Sequence, residues 1–261
     1  MVLADGYYVG QVNEQKMRHG KGFFKYPVGD VYFGAWRDDF FHGQGIYLFA
    51  SGEIYEGLLK NGMKDGHGIY YYDGGRACYD GDWGNDEKHG YGVFDSEEEH
   101  YEGQWEMGKK VGNGHLLDRR SGDAYIGSFA HNRKNGQGRV IYADGSVYSG
   151  NFWNDLPHGE GNLEFVNKDR YKGRFREGEK EGTGIYYFSE GTVFEGQWHK
   201  NLKVEGELTL FNGDVFRGEF RNNERSEGVY TYKNGDVYEG MWEHDVKHGK
   251  GKVALSNGES Y

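Results

Sequence analysis

The chain has 261 residues, a formal net charge of −11, 46 glycines, 22 tyrosines, 16 phenylalanines, 6 tryptophans, 2 prolines and a single cysteine. The acidic balance runs against a nucleic-acid footprint and against general attraction to an anionic membrane. One cysteine excludes an intrachain disulfide framework.

One motif returns from end to end. Tyr or Phe, any residue, Gly, any residue and then usually Trp or Phe begins at Tyr8, Tyr32, Tyr55, Tyr79, Tyr101, Tyr125, Tyr148, Tyr171, Phe194, Phe216, Tyr238 and Tyr261. A spacing of 22 to 24 residues is that of a repeat array. Glycines interleaved with aromatics at fixed offsets argue for order, despite their number. In an early unit, Tyr32, Gly34 and Trp36 alternate onto one strand face. A polar connector then leads to a second strand on which Gly43, Gly45, Tyr47 and Phe49 share a face. Gly20, Gly22, Phe24 and Tyr26 repeat that pattern, as do Gly66, Gly68, Tyr70 and Tyr72, and later Gly182, Gly184, Tyr186 and Phe188. In the last full unit Asn234-Gly235 reads as a two-residue hairpin turn with positive φ at both positions. Asp236 to Trp242 form its first strand, Glu243 to His248 a polar connector, and Gly249 to Leu255 its second strand.

The predicted fold class is therefore all-β. A continuous array over residues 1–261, about 11 hairpins plus the start of a twelfth, forms an elongated single-layer antiparallel sheet, twisted or curved into an open trough. Rings on one strand are expected to lie over glycines on its neighbour, where no Cβ intrudes. Irregular units stand out. Val12 and Leu59 take positions that usually hold Trp or Phe, and turn glycine is missing at Glu97-Glu98-Glu99-His100 and Asn167-Lys168-Asp169. Val204 and Ser226 replace the first Gly of the Gly-x-Gly pair in connectors one residue shorter, which predicts altered curvature between Trp198 and Val229. The face opposite the rings mixes Phe23, Ile46, Leu48, Ile69, Tyr71, Ile141, Ile185 and Tyr187 with Lys21, Lys25, Gln44, His67 and Arg139. It is too apolar for a solvated face and too polar for a sealed core, and such a strip suits a partner.

Motifs for chemistry are missing. Gly-x-Gly recurs without opening a long helix, so it is no dinucleotide fingerprint, and no phosphate loop, nucleophile elbow or paired-cysteine metal motif occurs. Cys78 reads as a small half-buried side chain. His19, His42, His89, His158 and His248 recur in the connectors, with Asp39, Asp65 and Glu87 nearby. They read as polar turn residues, with zinc held between two copies as the sharper alternative. No catalytic residue, metal or cofactor is assigned. The N-terminus lacks a signal-peptide layout, no apolar run approaches the roughly 18 residues of a membrane span, and reducing, cytoplasmic surroundings fit the composition.

Tyr32-Phe33-Gly34-Ala35-Trp36 with His42-Gly43-Gln44-Gly45, Tyr101-Glu102-Gly103-Gln104-Trp105, Asn135-Gly136-Gln137-Gly138 and Tyr238-Glu239-Gly240-Met241-Trp242 resemble the membrane occupation and recognition nexus, or MORN, repeats. The resemblance covers essentially the whole chain. It implies a grooved sheet of hairpins serving as a scaffold in cytoskeletal, ciliary or flagellar, or membrane-associated assemblies. The expected function is non-catalytic binding of a partner helix or a second array, including a homodimer. Tyr8, Tyr32, Trp36, Tyr55, Trp83, Trp105, Trp198 and Trp242 are the candidate anchors or structural rings. The alternative is a phospholipid-binding module using Lys168, Arg170, Lys172, Arg174 and Arg176, with Arg119 and Arg120 as a smaller basic site.

Overall fold

The computed structural model describes Val2, Leu3 and residues 5–261, with side chains from residue 5 onward. Two compact units are present, Met1–Arg133 and Lys134–Tyr261. The first carries β1 (Val2–Leu3), β2 (Gly6–Val12), β3 (Arg18–Lys25), β4 (Val31–Arg37), β5 (Phe40–Leu48), β6 (Ile54–Lys60), β7 (Met63–Tyr72), β8 (Ala77–Gly84), β9 (Glu87–Asp95), β10 (Glu99–Glu106), β11 (Lys109–Asp118) and β12 (Ala124–Ala130). Across the boundary and beyond it run β13 (Arg133–Ile141), β14 (Val147–Trp153), β15 (Leu156–Glu164), β16 (Arg170–Arg176), β17 (Glu179–Tyr187), β18 (Val193–His199), β19 (Leu202–Thr209), β20 (Val215–Arg221), β21 (Glu224–Thr231), β22 (Val237–Glu243) and β23 (Val246–Ala254). Within each unit every strand pairs antiparallel with its chain neighbours. The class is all-β, as tandem hairpins; a three-residue 3₁₀ turn at Asp73–Gly75 is the helical segment among the described residues.

The turns are placed differently from the sequence expectation. Asn234-Gly235 is not a two-residue turn. Gly235 N–H donates to Tyr232 O at 2.9 Å and Tyr232 N–H to Asp236 O at 2.8 Å. Of this pair Gly235 alone has positive φ, at 91°. That is a three-residue loop closed by a left-handed glycine. The tight turns lie inside the supposed polar connectors. Asp38-Asp39, Asn85-Asp86, His131-Asn132, Asn154-Asp155 and His244-Asp245 have positive φ at both residues. Asp and Asn tolerate that region, and their side chains also tie one repeat to the last. Asp39 Oδ1 accepts the Arg18 N–H at 2.8 Å, while Asp39 N–H donates to Arg18 O at 3.0 Å. Asp86 brackets Lys64 in the same way, and Asn132 brackets Lys110.

The two glycines of each Gly-x-Gly have different tasks. Period-two alternation fails at the first one, because a bulge sits there. Gly34 faces Gly45 and Trp36 faces Phe41, so the second strand holds two extra residues. Gly43, inside the bulge, has φ of 76°. Gly45 is needed for another reason: a Cβ there would lie 2.5 Å from Cε2 of Tyr32, and one on Gly34 would lie 2.6 Å from its Cζ. The Tyr32 ring thus lies flat on two facing glycines. Its hydroxyl donates to Ala35 O at 2.8 Å. The same hydroxyl bond, to the carbonyl three residues on, is made by Tyr8, Tyr55, Tyr79, Tyr101, Tyr125, Tyr148, Tyr171 and Tyr238.

Where Phe replaces this tyrosine, the bulge shrinks. Gln197 pairs with Glu205 and Trp198 with Lys203; Glu219 pairs with Glu227 and Phe220 with Arg225. One extra residue remains in each case, Val204 or Ser226. These are the two units singled out for lacking the first glycine. Without a phenol to satisfy it, the carbonyl three residues on belongs to a residue that stays in the ladder. The change reaches the next repeat as well. Trp36, Trp83, Trp105 and Trp198 donate their indole N–H to Gly22 O, Gly68 O, Gly92 O and Gly184 O of the preceding hairpin. Trp242, which follows a shortened bulge, has a buried Nε1 with no partner.

Tyr148→Phe should destabilise the array by about 1 kcal/mol, since it orphans the Asn151 carbonyl. Gly161→Ala should cost more, about 1–3 kcal/mol, through overpacking against Tyr148. Phe194→Tyr should destabilise rather than improve the fold, because its hydroxyl enters a hairpin whose bulge is one residue shorter than in the tyrosine repeats. Urea unfolding followed by circular dichroism ranks all three.

Candidate functional site

Alternation gives the sheet two unlike faces. On one, within each unit, the large rings pack edge-on against the Tyr or Phe that opens their own repeat and that of the preceding repeat. Trp105 lies 5.1 Å from Tyr101 and 5.4 Å from Tyr79, and Phe175 lies 5.1 Å from Tyr171 and 5.0 Å from Tyr148. Edge-to-face contact favours such pairs beyond their buried area. At Leu59 the missing ring is supplied from across the ladder by Phe41, 4.0 Å from Tyr32. Tyr8, Tyr32, Trp36, Tyr55, Trp83, Trp105, Trp198 and Trp242 are all less than a tenth exposed. They hold the repeats together and are covered from solvent.

A column of cations overlies these rings, and sequence reading missed it. Lys88 Nζ stands 4.2 Å from the Phe94 ring, 4.8 Å from Trp105, 5.1 Å from Tyr79 and 5.2 Å from Tyr72. Lys180 Nζ is 4.6 Å from Trp198 and 4.9 Å from Tyr186. Arg18, Lys64, Lys203, Arg225 and Lys247 repeat the arrangement. Cation–π attraction offsets part of the desolvation cost, but burial still pulls the Lys88 and Lys180 ammonium pKa values down to about 8. Lys110 also meets Glu99 at 2.6 Å. The signal was present as a basic residue two places before the bulge glycine, in Lys64-Asp65-Gly66, Lys88-His89-Gly90, Lys180-Glu181-Gly182 and Lys247-His248-Gly249.

The opposite face is open. In the first unit, successive pairings align Val9, Phe23, Phe33, Ile46, Glu56, Ile69, Asp80, Val93, Glu102, His115 and Ile126 in one cross-strand row. Val9 is 51% exposed, Phe33 60% and Ile126 55%. Tyr7 and Leu48, one row away, are exposed too. A cavity of ≈ 310 Å³ is lined by Lys21, Phe33, Ala35, Gln44, Ile46 and Glu56. In the second unit the corresponding row from Arg139 through Ser149 and Asn162 to Lys172 is polar.

Strand β16 puts Arg170, Lys172, Arg174 and Arg176 on its exposed face and Tyr171, Gly173 and Phe175 on the ring face. Lys168 lies in the preceding turn with φ of 72°, where other loops use glycine, and reaches Glu164 at 3.5 Å. Arg174 lies 3.8 Å from Glu160. Arg170 and Lys172 instead join Arg139, from β13, around a ≈ 590 Å³ cavity that also includes Ser149, Asn162 and Glu164. Arg119 reaches Asp95 at 2.9 Å, and Arg120 pairs with Glu98. Among the described residues no group of three or more His, Cys, Asp or Glu side chains is arranged to hold a metal ion. His19 meets Asp38 at 3.3 Å and His248 meets Glu243 at 3.4 Å. Cys78 is half-buried, and burial raises its thiol pKa. No helix among the described residues is long and apolar enough to cross a membrane.

Flat rings on paired glycines, bracketed turns and a repeating bulge define a tandem β-hairpin repeat protein. A MORN repeat profile matches residues 8–31, 32–54, 55–76, 79–97, 101–119, 125–147, 148–170, 171–193, 194–215, 216–237 and 238–260. The chain belongs to the MORN repeat family. A comparison with curated proteins finds no match. Among solved structures, the TCP10 domain of Danio rerio CPAP in complex with a peptide of Danio rerio STIL is 11% identical, over 81% of this chain and 93% of that one, with a TM-score of 0.45. The same domain without peptide is 12% identical over 74% and 91%, with a TM-score of 0.40. The Drosophila melanogaster SAS-4 TCP domain with a proline-rich motif of Ana2 is 12% identical over 57% and 82%, with a TM-score of 0.38. With scores this low, the family assignment rests on the repeats.

The caged lysines predict a pH dependence. Between pH 8 and the ordinary lysine value of 10.5 the native protein holds fewer protons than the unfolded chain, so stability rises with pH there. Unfolding free energy should increase from pH 7 to pH 9, and Lys88→Met with Lys180→Met should flatten that rise. Urea titrations at the two pH values measure it, below the range in which unfolded tyrosines ionise.

Proposed function

We propose that this chain is a non-catalytic scaffold that binds a protein partner on the open face of its first unit. The observation that carries the reading is the row from Val9 to Ile46, four neighbouring strands each presenting a large apolar side chain outward. Tyr8, Tyr32, Trp36, Tyr55, Trp83, Trp105, Trp198 and Trp242 are buried, which favours the other face as the source of contact energy. A few well-packed side chains near the centre of an interface supply most of its affinity. Membership of the MORN repeat family supports a scaffold role. The setting, a cytoskeletal, ciliary or flagellar, or membrane-associated assembly, is proposed from family resemblance alone.

Phe33→Ser with Ile46→Ser should leave the ring-face core intact and abolish co-purification of the physiological partner. Unchanged circular dichroism with lost capture supports the proposal; unchanged capture removes it.

A second reading is favoured by the Arg139, Arg170 and Lys172 cavity, which fits a phosphate-bearing headgroup. Sedimentation with phosphoinositide vesicles should then depend on Arg170 and Lys172 and weaken with salt. Failure to sediment at low salt disposes of it.

A further inference from the structure

We infer that the partner segment is an α-helix carrying a basic residue every seven positions, with an apolar residue midway between successive basic ones. The inference rests on the scaffold reading and specifies its ligand. The row continues past Ile46 as Glu56, Ile69, Asp80, Val93 and Glu102. First strands of successive hairpins contribute the acids, and second strands contribute the apolar residues. Adjacent strands are about 4.8 Å apart, so Glu56, Asp80 and Glu102 recur about every 10 Å with an apolar side chain halfway. Seven helical residues rise about 10.5 Å and return to the same face, while residues three or four on fall midway on that face. The two periods coincide.

Other occupants fit less well. An extended chain advances about 10 Å in three residues, but side chains three apart point to opposite sides. A second copy laid face to face would bring this acidic row against its own like charges. The carboxylates are exposed and oriented by neighbours: Asp80 lies 3.3 Å from His67 Nε2, and Glu102 accepts the Tyr91 hydroxyl at 2.5 Å. The ring-face cations stand on the other side of the sheet and do not neutralise this row.

The test uses the full chain and a synthetic helical peptide with lysines seven apart and leucines between, labelled for fluorescence anisotropy. A control peptide of identical composition spaces its lysines five apart, which scatters them around the helix. The registered peptide should bind, and the triple variant Glu56→Gln, Asp80→Asn, Glu102→Gln should weaken binding about tenfold, the sum expected of three exposed ion pairs. Equal binding of both peptides, no binding of the registered one, or an unchanged affinity in the triple variant overturns the inference. A dimer in sedimentation that Phe33→Ser dissociates would replace the helix by a second copy. The two readings fail separately: if the triple variant keeps its physiological partner while Phe33→Ser with Ile46→Ser loses it, the surface stands and the helix does not, whereas unchanged capture by Phe33→Ser with Ile46→Ser removes the scaffold reading itself.

Discussion

The structure depends on a tyrosine lying flat on two facing glycines. Removing both Cβ atoms brings the ring into contact with the backbone itself, and filling either vacancy would force ring or backbone to shift from the 2.4–2.8 Å separations a methyl would meet around Tyr55. The ring lies so low that its hydroxyl reaches the backbone carbonyl three residues on. In this repeat the bulge on the partner strand skips the pairing of Leu58, whose carbonyl takes the phenol instead. Ring, glycines and bulge are thus one device, and each part makes sense only with the others. Glycine, normally a weak strand residue, is here the condition for the best packing available to a single-layer sheet.

The two phenylalanine units test this account within one molecule. Phe194 and Phe216 have no hydroxyl, their bulges lose a residue, and the left-handed glycine disappears with it. Conformational strain, hydrogen bonding and side-chain chemistry therefore change together. The unpartnered Trp242 indole shows that the adjustment is carried into the following hairpin.

Much of this was legible in the sequence, for reasons that also fix where legibility ended. The period, the class and the ring-over-glycine packing follow from fixed offsets of Tyr and Gly. Turn placement did not follow, because Asn-Gly suits both a two-residue turn and a three-residue loop, and local signals cannot choose. Asp38-Asp39 adopts the strained turn through bonds to Arg18, about one repeat away. The connector cations were likewise hidden: Lys88 looks like a solvated residue until the fold sets four rings around it. The open face was recognisable as half apolar, but the alternation of acid and apolar side chains along it arises across strands and is invisible along the chain.

A division of labour follows from the alternation of the strand. On the ring side, large rings such as Trp105 and Phe175 are held by the neighbouring repeat, so substitutions there change stability first. The open side is less tied, its side chains meeting neighbours on the same face, as Asp80 meets His67 and Glu102 meets Tyr91. Identity can therefore vary along it without disturbing the ladder: Val, Phe, Phe and Ile across β2 to β5, acids and aliphatics in turn across β6 to β10, and Arg, Ser, Asn and Lys across β13 to β16. In such a protein the repeat that announces the family says least about the partner. On the proposed reading, specificity belongs to the residues that break the repeat, on the face the repeat leaves free.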